Sequence, residues 1–557
     1  MSTTRIPDVP GTHGNGSLRL ALSFAWLLAC AGVPLHAQSY QDLYDFDCAT
    51  GCTPTGTLTQ GTNGNLYGTT SSGGTNNWGT IFMVSTGGAY TSLLNFDSTT
   101  GAGGGGLTLA TDGNFYGTGY ISSASTGTLF QFNPVTNAVT VLHQFSSTEG
   151  IPQGPPIVGK NKNYLFGVGA IPGSRAGTAY RWTISTATFE LLPKPVPGFP
   201  SGPLFLASDG FMYGATANGG SMEAGALFRM SAAGTIKKLY NFLDGSDGAD
   251  PNAPLTQGIK DGNLYGVAYD GGFYGGGKYG VIFEVTLPAD GFGPIYQFDG
   301  TGGAAFNPGS GLLAASDGNL YGSTLHGGSD GLGTLFEFQL GGSFIPLFDF
   351  TGNGGLASGA TPNGTPLMED TNGQFYGLTP GGGANGGGVF YTMTPPNPLS
   401  HINVCCSWWV ILDQPVTIVG QNLTGVISVN FGSVSAQFRH GSNTYLTAYV
   451  PSAAIDGPVS VTLATGQQLE SAQSVHVLPK ITNLDPSSGP VGTQVGIVGG
   501  GFAGTTEVTF SGVAATNVMV IDPGLIQATV PPGATTGQVG VVTPNGAALS
   551  RETFTVN

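Results

Sequence analysis

Charge is what this sequence has least of. Asp, Glu, Lys and Arg make up 8% of its 557 residues, and Lys plus Arg number 15. With a formal net charge of −16 and no basic run, it lacks the clustered cations that bind a phosphate backbone, so no nucleic acid partner is expected. Long apolar runs are missing beyond the N-terminus, so no membrane span is expected in the mature chain. Histidine, at seven, and cysteine, at five, are scarce, which leaves little material for a metal centre.

Glycine is abundant, at 96, beside 40% hydrophobic residues. Disordered chains are charge-rich and apolar-poor, and collagen needs glycine at every third position, so neither class fits. Short strands joined by glycine-rich turns do.

The N-terminus has the layout of an export signal. Arg19 precedes an apolar stretch from Leu20 to Leu35, and Leu35-His36-Ala37 offers a small residue at the cut. Residues 1–37 are therefore expected to leave, placing the mature chain outside the cell or on its surface. Leu27-Leu28-Ala29-Cys30 also has the form of a lipoprotein box, which would tether the chain at Cys30. The other four cysteines fall in two close pairs, Cys48 with Cys52 and Cys405 with Cys406. Disulfides within the pairs or between them are both open.

One phrase recurs seven times. Its clearest copy is Asp317-Gly318-Asn319-Leu320-Tyr321-Gly322, then Gly333-Thr334-Leu335-Phe336, then Leu347-Phe348-Asp349-Phe350. Tyr-Gly appears at Tyr67, Tyr116, Tyr213, Tyr265, Tyr321 and Tyr376, with Phe166-Gly167 as a degenerate copy. A period near fifty with strand-like content indicates a propeller or a solenoid. Each copy reads as four strands, with Asp-Gly-Asn supplying the first hairpin turn. The seventh copy lacks a closing Leu-x-x-Phe, and Leu43-Tyr44-Asp45-Phe46 stands unpaired at the N-terminal end. If that strand completes the last blade, seven blades close into a ring with only short protected edges. In such a meander the second-to-third and fourth-to-first loops share one face. They are the long ones, so ligand contacts are expected there.

The Asp-Gly-Asn-Leu-Tyr-Gly, Gly-Thr-x-Phe and Leu-x-x-Phe series resembles the GloVer tandem repeat of exported bacterial proteins. The likeness covers about residues 40 to 395 and implies no established activity. After Pro395-Pro396-Asn397-Pro398 two units of about 80 residues follow. Pro415-Val416-Thr417-Ile418-Val419-Gly420 in the first matches Val495-Gly496-Ile497-Val498-Gly499-Gly500 in the second. Both resemble the immunoglobulin-like IPT/TIG domain, a spacer or interaction module built as a small β-sandwich. The expected organisation is all-β. A signal peptide (1–37) precedes a seven-bladed β-propeller (38–398) and two sandwiches (399–478 and 479–557).

Chemistry-bearing patterns are sparse. Gly327-Gly328-Ser329-Asp330-Gly331 has nucleophile-elbow spacing but falls in a loop between strands, not at a strand-to-helix turn. Gly272 to Lys278 has phosphate-loop spacing, with Tyr279 where Ser or Thr would meet magnesium. Asp244, Asp247 and Asp250 are oxygen donors for a calcium ion, but lack the alternation and closing Glu of a calcium loop, so they read first as a solvated turn. Glu284 and Glu337 hold equivalent places after the third-strand Phe and are expected on solvated strand faces rather than as a glycosidase pair. Trp408 and Trp409 stand at the propeller–sandwich junction, either as interface packing or as a stacking surface for a sugar. The recurrent Tyr is expected to pack between blades, with its Gly allowing close approach. No catalytic set and no cofactor emerge. The expected function is an exported, non-catalytic binding or adhesion scaffold for an extracellular polysaccharide or surface protein. The alternative is a secreted polysaccharide lyase or glycoside hydrolase on a propeller platform.

Overall fold

The computed structural model describes residues 39–272, 278–300, 303–396, 400–405 and 407–557. The expected leader with Cys30 lies outside them, as do Cys406, Pro398 at the expected boundary, and 273–277 of the stretch with phosphate-loop spacing. Among the described residues the architecture is strands and turns, with a 3₁₀ turn at Leu423–Gly425.

Seven antiparallel sheets of four or five strands occupy residues 39–394. The fourth is typical: Phe205–Leu206, Met212–Thr216, Ala226–Met230 and Ile236–Asn241 pair in chain order. The seventh takes Met368–Glu369, Phe375–Thr379 and Val389–Thr394 from its own repeat. Its fourth strand is Ser39–Asp45, which runs antiparallel to Val389–Thr394. On that strand Tyr40 stacks on Tyr391 with ring centroids 4.9 Å apart, and Tyr44 on Tyr90 of the first sheet at 4.2 Å. Phe46, just beyond it, is fully buried.

A four-stranded sheet exposes two apolar faces and must cover both. Here each sheet covers its neighbour. Ile81 and Phe96 of the first sheet pack with Phe115 and Phe130 of the second. Shared clusters link each later pair of successive sheets in the same way. A further cluster joins Leu378 and Phe390 of the seventh to Leu66 and Phe82 of the first. The arrangement is propeller-like, with the two ends of the repeat region in contact.

The Tyr-Gly phrase does two jobs. Tyr packs between sheets, as with Tyr67 against Phe115 at 4.5 Å between centroids. Its hydroxyl turns back into its own hairpin: Tyr116 donates to Asp112 at 2.8 Å, Tyr213 to Asp209 at 2.7 Å and Tyr321 to Asp317 at 2.7 Å. In the first and seventh copies Asn63 and Asn372 donate to Tyr67 and Tyr376 instead. The degenerate third copy has Phe166, which needs no partner, and accordingly Lys162 stands four residues before it. The close approach that Gly allows is within its own sheet. Gly322 lies opposite Phe336, and a Cβ there would sit 2.6 Å from that ring.

Register corrects the expectation for Glu337. Tyr321 pairs with Glu337 and Tyr265 with Glu284, so each carboxylate lies over its hairpin, Glu337 removed from solvent and Glu284 half-buried. Glu337 is buried and accepts from Asn319 and Gln339 at 3.0 and 2.9 Å. Glu284 accepts from Asn263 and Tyr265 at 2.6 and 3.1 Å.

The C-terminal region is two β-sandwiches of one plan. In the first, the sheet Asn403–Val404, Pro415–Val419, Tyr445–Tyr449, Phe438–His440 faces a five-stranded sheet across a core of Ile418, Phe431, Leu446 and Val461. In the second, Ile497, Phe510, Ile526 and Val541 hold the same places. In each, the second strand runs parallel to the last: Trp409–Ile411 along His476–Leu478, and Ser488–Gly489 along Thr555–Val556. Cys48 is disulfide-bonded to Cys52. Cys405 is disulfide-bonded as well.

Phe46→Ala is expected to destabilise the repeat region by about 3–5 kcal/mol, as truncation of a buried Phe does within a chain. A loss under about 1 kcal/mol in denaturant melts would mean that the N-terminal strand frays freely. Asp317→Ala leaves the Tyr321 hydroxyl buried without its acceptor and should cost about 1–3 kcal/mol. In a double-mutant cycle with Tyr321→Phe, strict additivity would show that the bond contributes nothing.

Candidate functional site

The first sandwich sits over one face of the repeat region, the face of the short first-to-second turns. Thr444 Oγ1 donates to the Thr62 carbonyl at 3.1 Å, and the His401 N–H donates to the Thr371 carbonyl at 3.1 Å. Lys160 Nζ lies 3.8 Å from the ring centroid of Trp409. Thr62, Lys160 and Thr371 come from the hairpin turns of the first, third and seventh sheets.

Between turns and sandwich lies a chamber of about 850 Å³. Its floor is made by the inner strands. Leu109, Val158, Leu206 and Ala314 occupy one equivalent position, paired with the residue before the recurrent aromatic. At that position the first, fifth and seventh sheets carry Gln60, Gln257 and Glu369. All three reach back to the preceding sheet. Gln257 Nε2 donates to Ser208 Oγ at 2.7 Å, and Ser316 donates to Glu369 through Oγ at 2.5 Å and N–H at 2.8 Å. Gln60 donates to Asp370. Trp408, Trp409, Asn403, His401 and His476 of the first sandwich complete the wall.

His401 Nδ1 is 3.9 Å from Glu369 Oε1, both side chains being buried. Burial raises the Glu369 carboxyl above the usual carboxylate range, against the opposing pull of His401. Burial raises Asp370 in the same way. At the other side of the seam, burial pushes the Lys160 ammonium down to about 8, against the opposing fields of Asp456 and Asp209. Asp456 also accepts from Asn545 of the second sandwich at 2.8 Å, so both sandwiches meet close to this lysine.

Trp409 is 2% exposed and packs on His476, whereas Trp408 is half-buried at the chamber wall. The pair lies at the junction, with Trp409 clamped between Lys160 and His476. Sequence reasoning missed Glu369 and His401, and missed the chamber itself. The one visible signal was a polar residue at an inner-strand position that other repeats fill with an aliphatic.

Among the described residues the hydrogen bonds between sandwiches and repeat region lie on the short-turn side, none on the opposite, long-loop face. Its acids mostly cap turns. Asp247 accepts from the Leu243 and Gly245 N–H groups at 2.8 and 3.1 Å and from the Tyr240 hydroxyl at 2.9 Å. Asp244 pairs with Lys278. Asp250 is partly buried, and burial with the nearby Asp270 raises its carboxyl. The three aspartates thus serve different neighbours, and among the described residues no group of three His, Cys, Asp or Glu forms a metal cluster. Ser329 of the elbow-like stretch gives its N–H to Asp349 at 3.0 Å within a turn. The same face carries exposed apolar side chains: Met222, Leu243 and Leu356 are 61%, 53% and 94% exposed.

A family model described as the Gloeobacter/Verrucomicrobia repeat matches residues 33–194 and 199–408, and the IPT/TIG domain model matches 409–477 and 479–556. No curated protein sequence matches the chain. Among solved structures, an oligogalacturonate lyase from Vibrio parahaemolyticus is similar at 12% identity and a TM-score of 0.43, covering 64% of this chain and 93% of its own. The β-propeller domain of the Trilobed protease from Pyrococcus furiosus is similar at 12% identity and a TM-score of 0.36, over 59% and 89%. A surface glycan-binding protein from Prevotella bryantii is similar at 16% identity and a TM-score of 0.19, over 28% and 41%.

The buried carboxyls set a pH dependence. A carboxyl with a raised folded-state pKa holds its proton more tightly folded than unfolded. It therefore favours the fold in acid and opposes it as pH rises from about 4 through the raised value. Glu369→Gln and Asp370→Asn should gain stability relative to the unmodified protein over that rise, in thermal melts at a series of pH values. Parallel curves would show that neither carboxyl is linked to folding.

Proposed function

The chain belongs to the Gloeobacter/Verrucomicrobia repeat family, and from that premise we propose that it is an exported, extracellular binding scaffold without catalytic activity. In this reading its seven sheets are the blades of a closed propeller. The order of the interblade clusters and the pairing of Ser39–Asp45 with Val389–Thr394 support that ring. The two IPT/TIG domains serve as a rigid base on the short-turn face. The leader over residues 1–37 directs export, with Cys30 as a lipid attachment point in the lipoprotein form.

One observation carries the binding assignment. The first sandwich covers the short-turn face, and the long-loop face opposite displays Met222, Leu243 and Leu356 to solvent. Recognition usually resides on loops held by a rigid frame, and these three side chains are exposed points on such loops. An extracellular polysaccharide is the partner proposed for this face.

A polysaccharide panel on the mature chain should give binding with no product released. Met222→Ser combined with Leu356→Ser should weaken that binding at least tenfold while leaving the melting temperature unchanged. Released sugar would overturn the non-catalytic reading in favour of a lyase or hydrolase. Binding indifferent to both substitutions would move the site off this face.

A further inference from the structure

The chamber beneath the first sandwich has a chemistry different from the loop face. At about 850 Å³ it is within the range of sites that enclose small molecules. Its floor leaves Ile157, Leu206, Leu313, Ala314 and Met368 only partly buried, so their aliphatic surface faces the cavity. The Gln and Glu side chains among them are engaged with the neighbouring sheets. Gln257 is bonded to Ser208, Gln60 to Asp370 and Glu369 to Ser316. Water lying over the aliphatic part of this floor finds few partners there, and displacing such water with an apolar group gains affinity. On the opposite wall, half-buried Trp408 adds an aromatic surface.

The titratable groups of the wall are Glu369, His401 and His476. Glu369 and His401 face each other at 3.9 Å, and His476 faces Asp456 at 3.3 Å. Each of these groups has its counterpart in the protein, so the cavity offers no lone charge to a ligand. We propose that this chamber is a binding site for a compact, uncharged, largely apolar small molecule, seated on the aliphatic floor against Trp408. The site is independent of the polysaccharide assignment, because it lies on the other face of the repeat region.

The test uses N-phenyl-1-naphthylamine, an uncharged fluorescent probe, titrated into the full mature chain. Saturable binding of one probe per chain is expected, with energy transfer from tryptophan. Ala314→Phe should weaken it at least tenfold by filling the floor. The larger side chains at equivalent positions, Leu109 and Leu206, show that such bulk is tolerated there. Leu206→Gln, which copies the residue of the first and fifth sheets at that position, should weaken it as well, and decides the matter if Ala314→Phe does not fold. Leu549→Ser removes an exposed side chain of the second sandwich, 65% exposed, and should change nothing. Absence of saturable binding, binding indifferent to both floor substitutions, or binding lost with Leu549→Ser would overturn the proposal.

Discussion

The structure depends on a single packing requirement: a four-stranded sheet with two apolar faces cannot stand alone. Each sheet here satisfies that requirement by covering its neighbour, so its stability is borrowed from both sides. The first and last sheets would each be left with a bare face, and the contact of Leu378 and Phe390 with Leu66 and Phe82 removes that problem. The strand Ser39–Asp45 makes the join covalent in effect, because one end of the repeat region is woven into the other. Its aromatic residues extend the join to both neighbours, Tyr40 on Tyr391 and Tyr44 on Tyr90.

The same repetition separates the two faces chemically. Short turns repeat closely because the Tyr hydroxyl and the turn Asp or Asn lock one another, so this face is regular enough to receive a folded domain. The second-to-third loops repeat a bond of their own, as Gly79 N–H to the Gly73 carbonyl and Gly333 N–H to the Gly327 carbonyl do, but carry different side chains beyond it, Asn76 and Trp78 in one and Ser329 and Asp330 in the other. The acids of the long loops cap local backbone groups, as Asp247 does, and leave exposed apolar side chains between them. Enclosure arises on the short-turn face, where an inner rosette of strands and a sandwich wall meet without filling the space between.

Much of this was legible in the sequence. The period, the four-strand grammar of each repeat, the orphan strand and the two sandwich units all follow from local patterns of apolar residues and turn residues. Glu337 was misjudged because alternation along its own strand says which side it faces, while its cover is the hairpin of the neighbouring strand. The chamber was not legible at all. Glu369 and His401 are separated by a boundary between unlike units, and nothing periodic connects them.

Sequence alone determined the repeating unit: glycine where a ring must fit, Asp or Asn four residues before each Tyr, Phe at the sheet interfaces. These are short-range matters, settled within one repeat or between adjacent ones. Tertiary structure decided which face the sandwich covers and what the covered space contains. That choice rests on a few long-range contacts, Thr444 to Thr62, His401 to Thr371 and Lys160 to Trp409. Such contacts are unique in the chain, so no repetition announces them, and only docking of the finished surfaces brings them together.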